Sequence, residues 1–248
     1  MIIENILGMK VNPSTYSQTV EQIETWIQKE QTKFISIAAV NNLVCALKDP
    51  QIMAIENRAD MVTTDGTPLV WILKKRGYKN CSRVYGPTLM LHVLKMAEQK
   101  GHGIFLYGCT DELLDKLIEN LKKQFPQLNI AGRHAPPFRP LTDQESDDIS
   151  KEINDSGAQL VFVGLSSPKQ EVWMDAHKKK LNKVVMLGVG AAFLFHAGEV
   201  KQAPPILQKL GLEWLFRLVN EPKRLWRRYL IGNSYFIWKL LTAGIMGK

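Results

Sequence analysis

Short β-branched runs alternate with longer amphipathic ones along most of this chain, and that alternation limits what it can fold into. Residues 34–37, 61–63, 104–107, 159–163 and 183–187 read as buried strands, and 129–131 is a further strand candidate. Helical spacing runs through 15–29, 41–48, 50–58, 68–75, 87–99, 111–124, 142–155 and 168–181. Strands that look buried and are separated by helices argue for a parallel sheet covered on both sides. The expected class is therefore α/β, a Rossmann-like parallel sheet with helices on both faces. No internal repeat or low-complexity tract interrupts it.

The chain changes character at Ala203-Pro204-Pro205. From there on Lys209, Arg217, Lys223, Arg224, Arg227, Arg228, Lys239 and Lys248 stand against Glu213 and Glu221 alone, which is +6 of the chain's +8. The same stretch carries Trp214, Phe216, Trp226, Tyr229, Tyr235, Phe236 and Trp238. Pro222 divides it into at least two helical pieces. The expected organisation is a catalytic domain over 1–203 and a basic amphipathic helical appendage over 204–248. Cations beside Trp, Tyr and Leu suit a surface that is negative outside and apolar beneath, as a bilayer interface is. RNA is the other polyanion to weigh.

Several classes are disfavoured. Cys45, Cys81 and Cys109 are widely spaced and form no C-x-x-C pair, so a disulfide framework or zinc knuckle is not expected and a reduced cytoplasmic setting fits. The start, Met-Ile-Ile-Glu-Asn, lacks the basic and long apolar regions of a signal peptide. Residues 184–195 and 235–246 are too short to span a bilayer, and Lys239 interrupts the second. Work at a membrane would be done from one side. There is no Walker A loop and no Gly-x-Ser-x-Gly elbow. The histidines are scattered, and no Asp-x-Asp is present to hold a metal on a nucleotide sugar.

In open α/β sheets, ligands bind beyond the carboxyl ends of the strands. Three segments there carry polar residues or glycine: 63–68, 164–171 and 188–193. Asp65 is the leading candidate for chemistry. Thr67 before Pro68 already supplies a helix cap, which leaves the Asp65 carboxylate without a clear structural task. Spacing alone leaves turn-shaping and catalysis both open. Ser167-Pro168-Lys169-Gln170 reads as a capping box whose free N–H groups could also meet an anion. Gly188-Val-Gly190 is a weak dinucleotide fingerprint, because Phe193 occupies the third glycine position, so NAD is disfavoured while a tight turn beside a smaller nucleotide stays open. Arg224, Arg227 and Arg228 share one helix face at i, i+3 and i+4, where they are either solvated or grip phosphates.

Taken together these pieces resemble a known family. Residues 59–66 (ADMVTTDG), Arg83-Val-Tyr-Gly86, 104–108, 163–171 (VGLSSPKQE), 188–193, Ala197-Gly198 and 211–222 (GLEWLFRLVNEP) are similar, in order, to the WecG/TagA/CpsF glycosyltransferases. The resemblance implies an inverting, metal-independent enzyme that uses a UDP-sugar, with N-acetylmannosamine or another hexose as the sugar. The acceptor it implies is a sugar on a polyprenyl diphosphate at the cytoplasmic membrane face, in teichoic acid, capsule or exopolysaccharide synthesis. It casts Asp65 as general base and Asn41, Arg83 and Gln170 as polar contacts. It places Gly188 and Gly190 beside the donor, and Arg217, Arg224 and Arg227 over its diphosphate. Ala39 stands where the family often has Thr, and Leu194 where it commonly has Asp. Both positions touch the pocket, so they bear on donor identity.

Two rival readings follow from the residues. One is an α/β enzyme that uses its basic aromatic tail on RNA, the other a non-catalytic membrane adaptor. The direction of the arginines separates RNA from sugar transfer: along an outer groove, or toward the carboxyl ends of the strands. Association into a homo-oligomer is left open.

Overall fold

The computed structural model describes residues 1–243, and the positions of Lys248 and of 244–246 within the apolar stretch 235–246 lie outside them. Six parallel strands form the centre: β3 (Lys33–Ala38), β4 (Met61–Thr64), β5 (Ile104–Gly108), β6 (Ile130–His134), β7 (Leu160–Gly164) and β8 (Val185–Gly188). Their order is β4-β3-β8-β7-β5-β6. The alternation in the sequence is therefore that of a helix-covered parallel sheet. A two-stranded antiparallel hairpin, β1 (Glu4–Ile6) and β2 (Met9–Val11), precedes the sheet. Its turn places Leu7 and Gly8 at φ +52° and +93°, as a two-residue hairpin requires. Strands of three residues are too short to show a period, so residue spacing does not register them.

Successive strand residues point to opposite faces, and the core divides accordingly. Ile35, Ile37, Ile104, Leu106, Leu160, Phe162, Val185 and Leu187 pack on one side. They meet α1 (Tyr16–Gln28), α5 (Gly86–Lys100), α6 (Asp111–Gln124) and the short α9 (Ala192–His196). Phe34, Phe105, Val161, Val163 and Met186 pack on the other against α7 (Asp143–Asp155) and α8 (Lys169–His177). Helix starts follow local chemistry. Thr15 with Gln18 and Thr142 with Glu145 form reciprocal capping boxes at the heads of α1 and α7.

A third apolar cluster joins the hairpin to α2 (Val40–Lys48), α4 (Thr67–Lys75) and the end of the chain. α3 (Pro50–Arg58) follows α2 after Asp49. Beyond Ala203 come α10 (Pro205–Lys209), α11 (Glu213–Asn220), α12 (Pro222–Trp226), a π-helical turn (Arg227–Ile231) and α13 (Gly232–Thr242). Phe236 and Leu240, one turn apart on α13, are buried beside Ala38, Leu43, Val44 and Leu69. The basic C-terminal segment thus lies against the sheet domain and does not trail from it. Its outer face is apolar too: Ile237, Trp238 and Leu241 are each more than half exposed. Among the described residues no helix is long and apolar enough to cross a membrane.

Candidate active site

All six strands deliver their carboxyl-end loops to one cleft of about 930 Å³. Its wall includes Ala39 after β3, Asp65 after β4, Cys109 after β5, residues 136–143 after β6, 164–170 after β7 and 188–192 after β8. Arg217, Arg224 and Arg228 close it from the appendage. The cationic side chains point at the strand ends, which is the arrangement that disfavours the RNA reading.

Asp65 is held in place by its backbone. Its N–H donates to the Ala38 carbonyl at 2.9 Å, so the end of β4 is tied to the end of β3. The helix cap falls one residue earlier than the sequence suggested: Gly66 is the cap and Thr67 the first residue of α4. The Asp65 carboxylate plays no part in that cap. Val84 donates to the Thr64 carbonyl at 2.9 Å, which sets the segment carrying Arg83 beside Asp65. Arg83 Nη2 donates to Asp65 Oδ1 at 2.8 Å, and Arg83 Nε reaches the Asp65 carbonyl at 2.6 Å. The same Nη2 also donates to Glu213 Oε2 at 2.8 Å. Burial alone would lower the proton affinity of Arg83, but the Asp65 and Glu213 carboxylates override it and hold the guanidinium firmly protonated.

Gln170 lies buried at the floor. Its Nε2 donates to the Gly188 carbonyl at 3.0 Å and to Glu171 Oε1 at 2.9 Å, while its Oε1 has no protein partner. A Cβ on Gly188 would stand 2.8 Å from Gln170 Nε2, and Gly190 has φ +52° with Gln170 Oε1 3.3 Å from where its Cβ would be. Both glycines are there to admit the glutamine. The capping box at 167–170 does not form. Helix α8 begins at Lys169, and Ser167 Oγ donates instead to Glu171 Oε1 at 2.9 Å. Asn42 Nδ2 joins that network, donating to Ser167 Oγ, Glu56 Oε1 and Glu171 Oε1 at 3.0–3.1 Å. Burial first, and then the charge of Glu171, pushes Glu56 up to about 7; burial raises Glu171 as well.

Several assignments move by a residue or a turn. Asn41 is half-buried in the first turn of α2 and outside the cleft lining among the described residues, whereas its neighbour Asn42 is buried, lines the cleft and belongs to that network. Arg83 touches Asp65 without lining the cleft itself. The Arg227 guanidinium lies 5.2 Å over the Trp226 ring, outside the lining, and Arg228 lines the cleft with Arg217 and Arg224. Burial, against the pull of Tyr229, lowers Arg228 from its ordinary range, and the cations of Arg217 and Arg224 add to it. The proline-rich segment 136–142, between β6 and α7, forms the cleft's rim. Under it Tyr107, Trp173 and His177 stack at ring separations of 4.2 and 4.1 Å. Among the described residues no group of three or more His, Cys, Asp or Glu side chains gathers as a metal ion would need.

A second, largely apolar groove of about 780 Å³ opens nearby between α4 and α13. It begins at Val40 and Pro68, next in sequence to the cleft's Ala39 and close after Asp65, and runs past Trp71, Ile72 and Trp214 to Ile237 and Leu240.

The chain matches the pattern of the "Glycosyl transferase WecG/TagA/CpsF family" over residues 4–248. It is also similar to an N-acetylglucosaminyldiphosphoundecaprenol N-acetyl-beta-D-mannosaminyltransferase of Staphylococcus aureus (strain MW2). The two are 30% identical over 241 residues, which is 96% of this chain and 92% of that one. The enzyme of the same name from strain MRSA252 shows the same identity and coverage. With the strand-end cleft in place and the family pattern running through to the last residue, the protein belongs to the WecG/TagA/CpsF family and is a glycosyltransferase.

Proposed function

We propose that this enzyme moves an N-acetylmannosamine-like or other hexosyl unit from a UDP-sugar to the sugar of a polyprenyl-diphosphate-linked acceptor, with inversion and without a metal ion. The observation that carries the reading is the convergence of Arg217, Arg224 and Arg228 on the cleft that also holds Asp65. Asp65 takes the proton from the acceptor hydroxyl as its oxygen attacks the anomeric carbon, a role worth roughly 10²–10⁴-fold. The bond to UDP breaks on the opposite face, which inverts the centre in a single displacement. Charge builds on the departing diphosphate, and fixed cations in a partly dry site stabilise it where many transferases use magnesium.

The apolar groove suits the isoprenoid chain of the acceptor. It starts beside the catalytic aspartate, so a sugar at Asp65 would leave its lipid running between α4 and α13. The outward Trp238, Ile237 and Leu241 with nearby Lys239 suit peripheral contact with an anionic membrane face. The relatives' names speak for an N-acetylglucosaminyl diphosphoundecaprenol acceptor and for transfer of N-acetylmannosamine.

A panel of UDP-sugars assayed against a short-chain polyprenyl-diphosphate N-acetylglucosamine tests the proposal. Transfer should occur in EDTA and give a product of inverted anomeric configuration. A dependence on magnesium, or turnover without the lipid diphosphate, would count against it.

A further inference from the structure

The carboxylate at Asp65 does not have Arg83 to itself. One nitrogen, Arg83 Nη2, is divided between Asp65 Oδ1 and Glu213 Oε2, each at 2.8 Å. Glu213 opens α11 and comes from the appendage, 130 residues along the chain from Arg83. It is buried despite its charge, and the Tyr85 ring packs 4.3 Å from the shared guanidinium.

A carboxylate that faces a whole guanidinium charge is a poor base, because the pair favours the deprotonated form. A second carboxylate on the same nitrogen takes up part of that charge, and its own negative field acts on Asp65 in the same direction. Both effects loosen the hold of the Arg83 charge on the Asp65 carboxylate. The other groups whose fields reach it are Tyr16 from α1, Tyr85 from the loop before α5 and Arg228 from the π-helical turn. Arg228 works against Glu213, with Arg217 and Arg224 near it. The tyrosines do not offset it, since burial holds Tyr16 and Tyr85 in their neutral forms.

We propose that Glu213 is a positioning residue that arms Asp65: by sharing Arg83 it makes the base effective only while α11 is docked. Seating the appendage and activating the base are then one event. An open cleft would hold a blunted Asp65, which protects a bound donor from reacting with water. This inference rests on the reading of Asp65 as the base.

Full-length wild type, E213D, E213Q and D65N would be compared with the short-chain acceptor and the UDP-sugar that turns over. The acid limb of the pH–kcat profile should move to lower pH in the order wild type, E213D, E213Q. The full step is about one pH unit, because E213D withdraws the charge and E213Q removes it. Plateau kcat should fall about three- to tenfold in E213Q, while the donor KM moves far less. An unmoved limb in both Glu213 variants overturns the proposal, since a tether alone would change rate or stability without that graded shift. Should E213Q fail to fold by circular dichroism, E213D carries the comparison with wild type. The two readings fail separately. Full turnover by D65N removes the base assignment, whereas inactive D65N beside unmoved limbs removes only the role of Glu213.

Discussion

At the residue scale, burial and pairing separate the acids near the site by task. Asp65 is part-exposed in the cleft and bonded to Arg83, while Glu56 and Glu171 are fully buried and share Asn42. Asp65→Asn keeps the shape and removes the basicity, so transfer should drop about 10²-fold or more with little change in melting temperature. Glu56 predicts the opposite pairing of effects. Its native value of about 7 lies above the ordinary 4.5, so between those pH values the unfolded chain releases a proton that the folded one keeps. Stability from this group is therefore level below the window and falls as pH rises through it. Glu56→Gln should raise the melting temperature at pH 8 and leave it near the parent's at pH 4.5, at about 2–4 °C per kcal/mol recovered. Equal shifts at both pH values in a calorimeter would contradict this. Asp65 was legible because it follows a strand and has no cap to serve. Its tie to Glu213 was not, since nothing local links positions so far apart. The same holds for Asn42, which only packing distinguishes from Asn41.

At the element scale, the appendage shows how a helical pattern can be right and its details shifted. Arginines 224, 227 and 228 on an ideal helix form one face, yet the chain runs from α12 into a π-helical turn at Arg227. Arg224 and Arg228 reach the cleft, and Arg227 lies over Trp226. Widened turns of this kind carry no residue signature that spacing can register. Arg228→Gln is expected to raise the donor KM at least about tenfold, one lost charge-assisted contact to a phosphate. Arg227→Gln should cost far less. Steady-state kinetics with varied UDP-sugar distinguishes them, and equal effects would mean that both reach the diphosphate. The prolines over 133–140 mark a loop, although Arg133 and His134 at its start belong to β6. Its place over the cleft follows from strand order, because β6 lies at the sheet edge and its carboxyl end opens on the same side as Asp65.

At the scale of the whole molecule, the parallel sheet was legible because five of its six strands are buried along their length, and periodicity reports burial well. How the last helices sit was not legible, since charge and aromatic content describe a surface without saying what covers it. Phe236 is buried among residues of α2 and α4, so Phe236→Ala should remove roughly 3–5 kcal/mol of packing. The loss is expected to fall on the appendage. Limited proteolysis should then cut near Ala203 well before the sheet domain yields, and transfer should decline in step. Cleavage spread evenly over the chain would show a single cooperative unit instead. The two faces of α13, one holding Phe236 and Leu240 inward and the other offering Trp238 and Leu241 outward, bear on how the enzyme meets its substrates. If that outer face rides on lipid, the acceptor is encountered by a search in two dimensions and the donor by a search in three. The quantity that saturates the enzyme is then acceptor per unit of membrane area, so diluting vesicles at fixed mole fraction would leave the rate of bound enzyme unchanged.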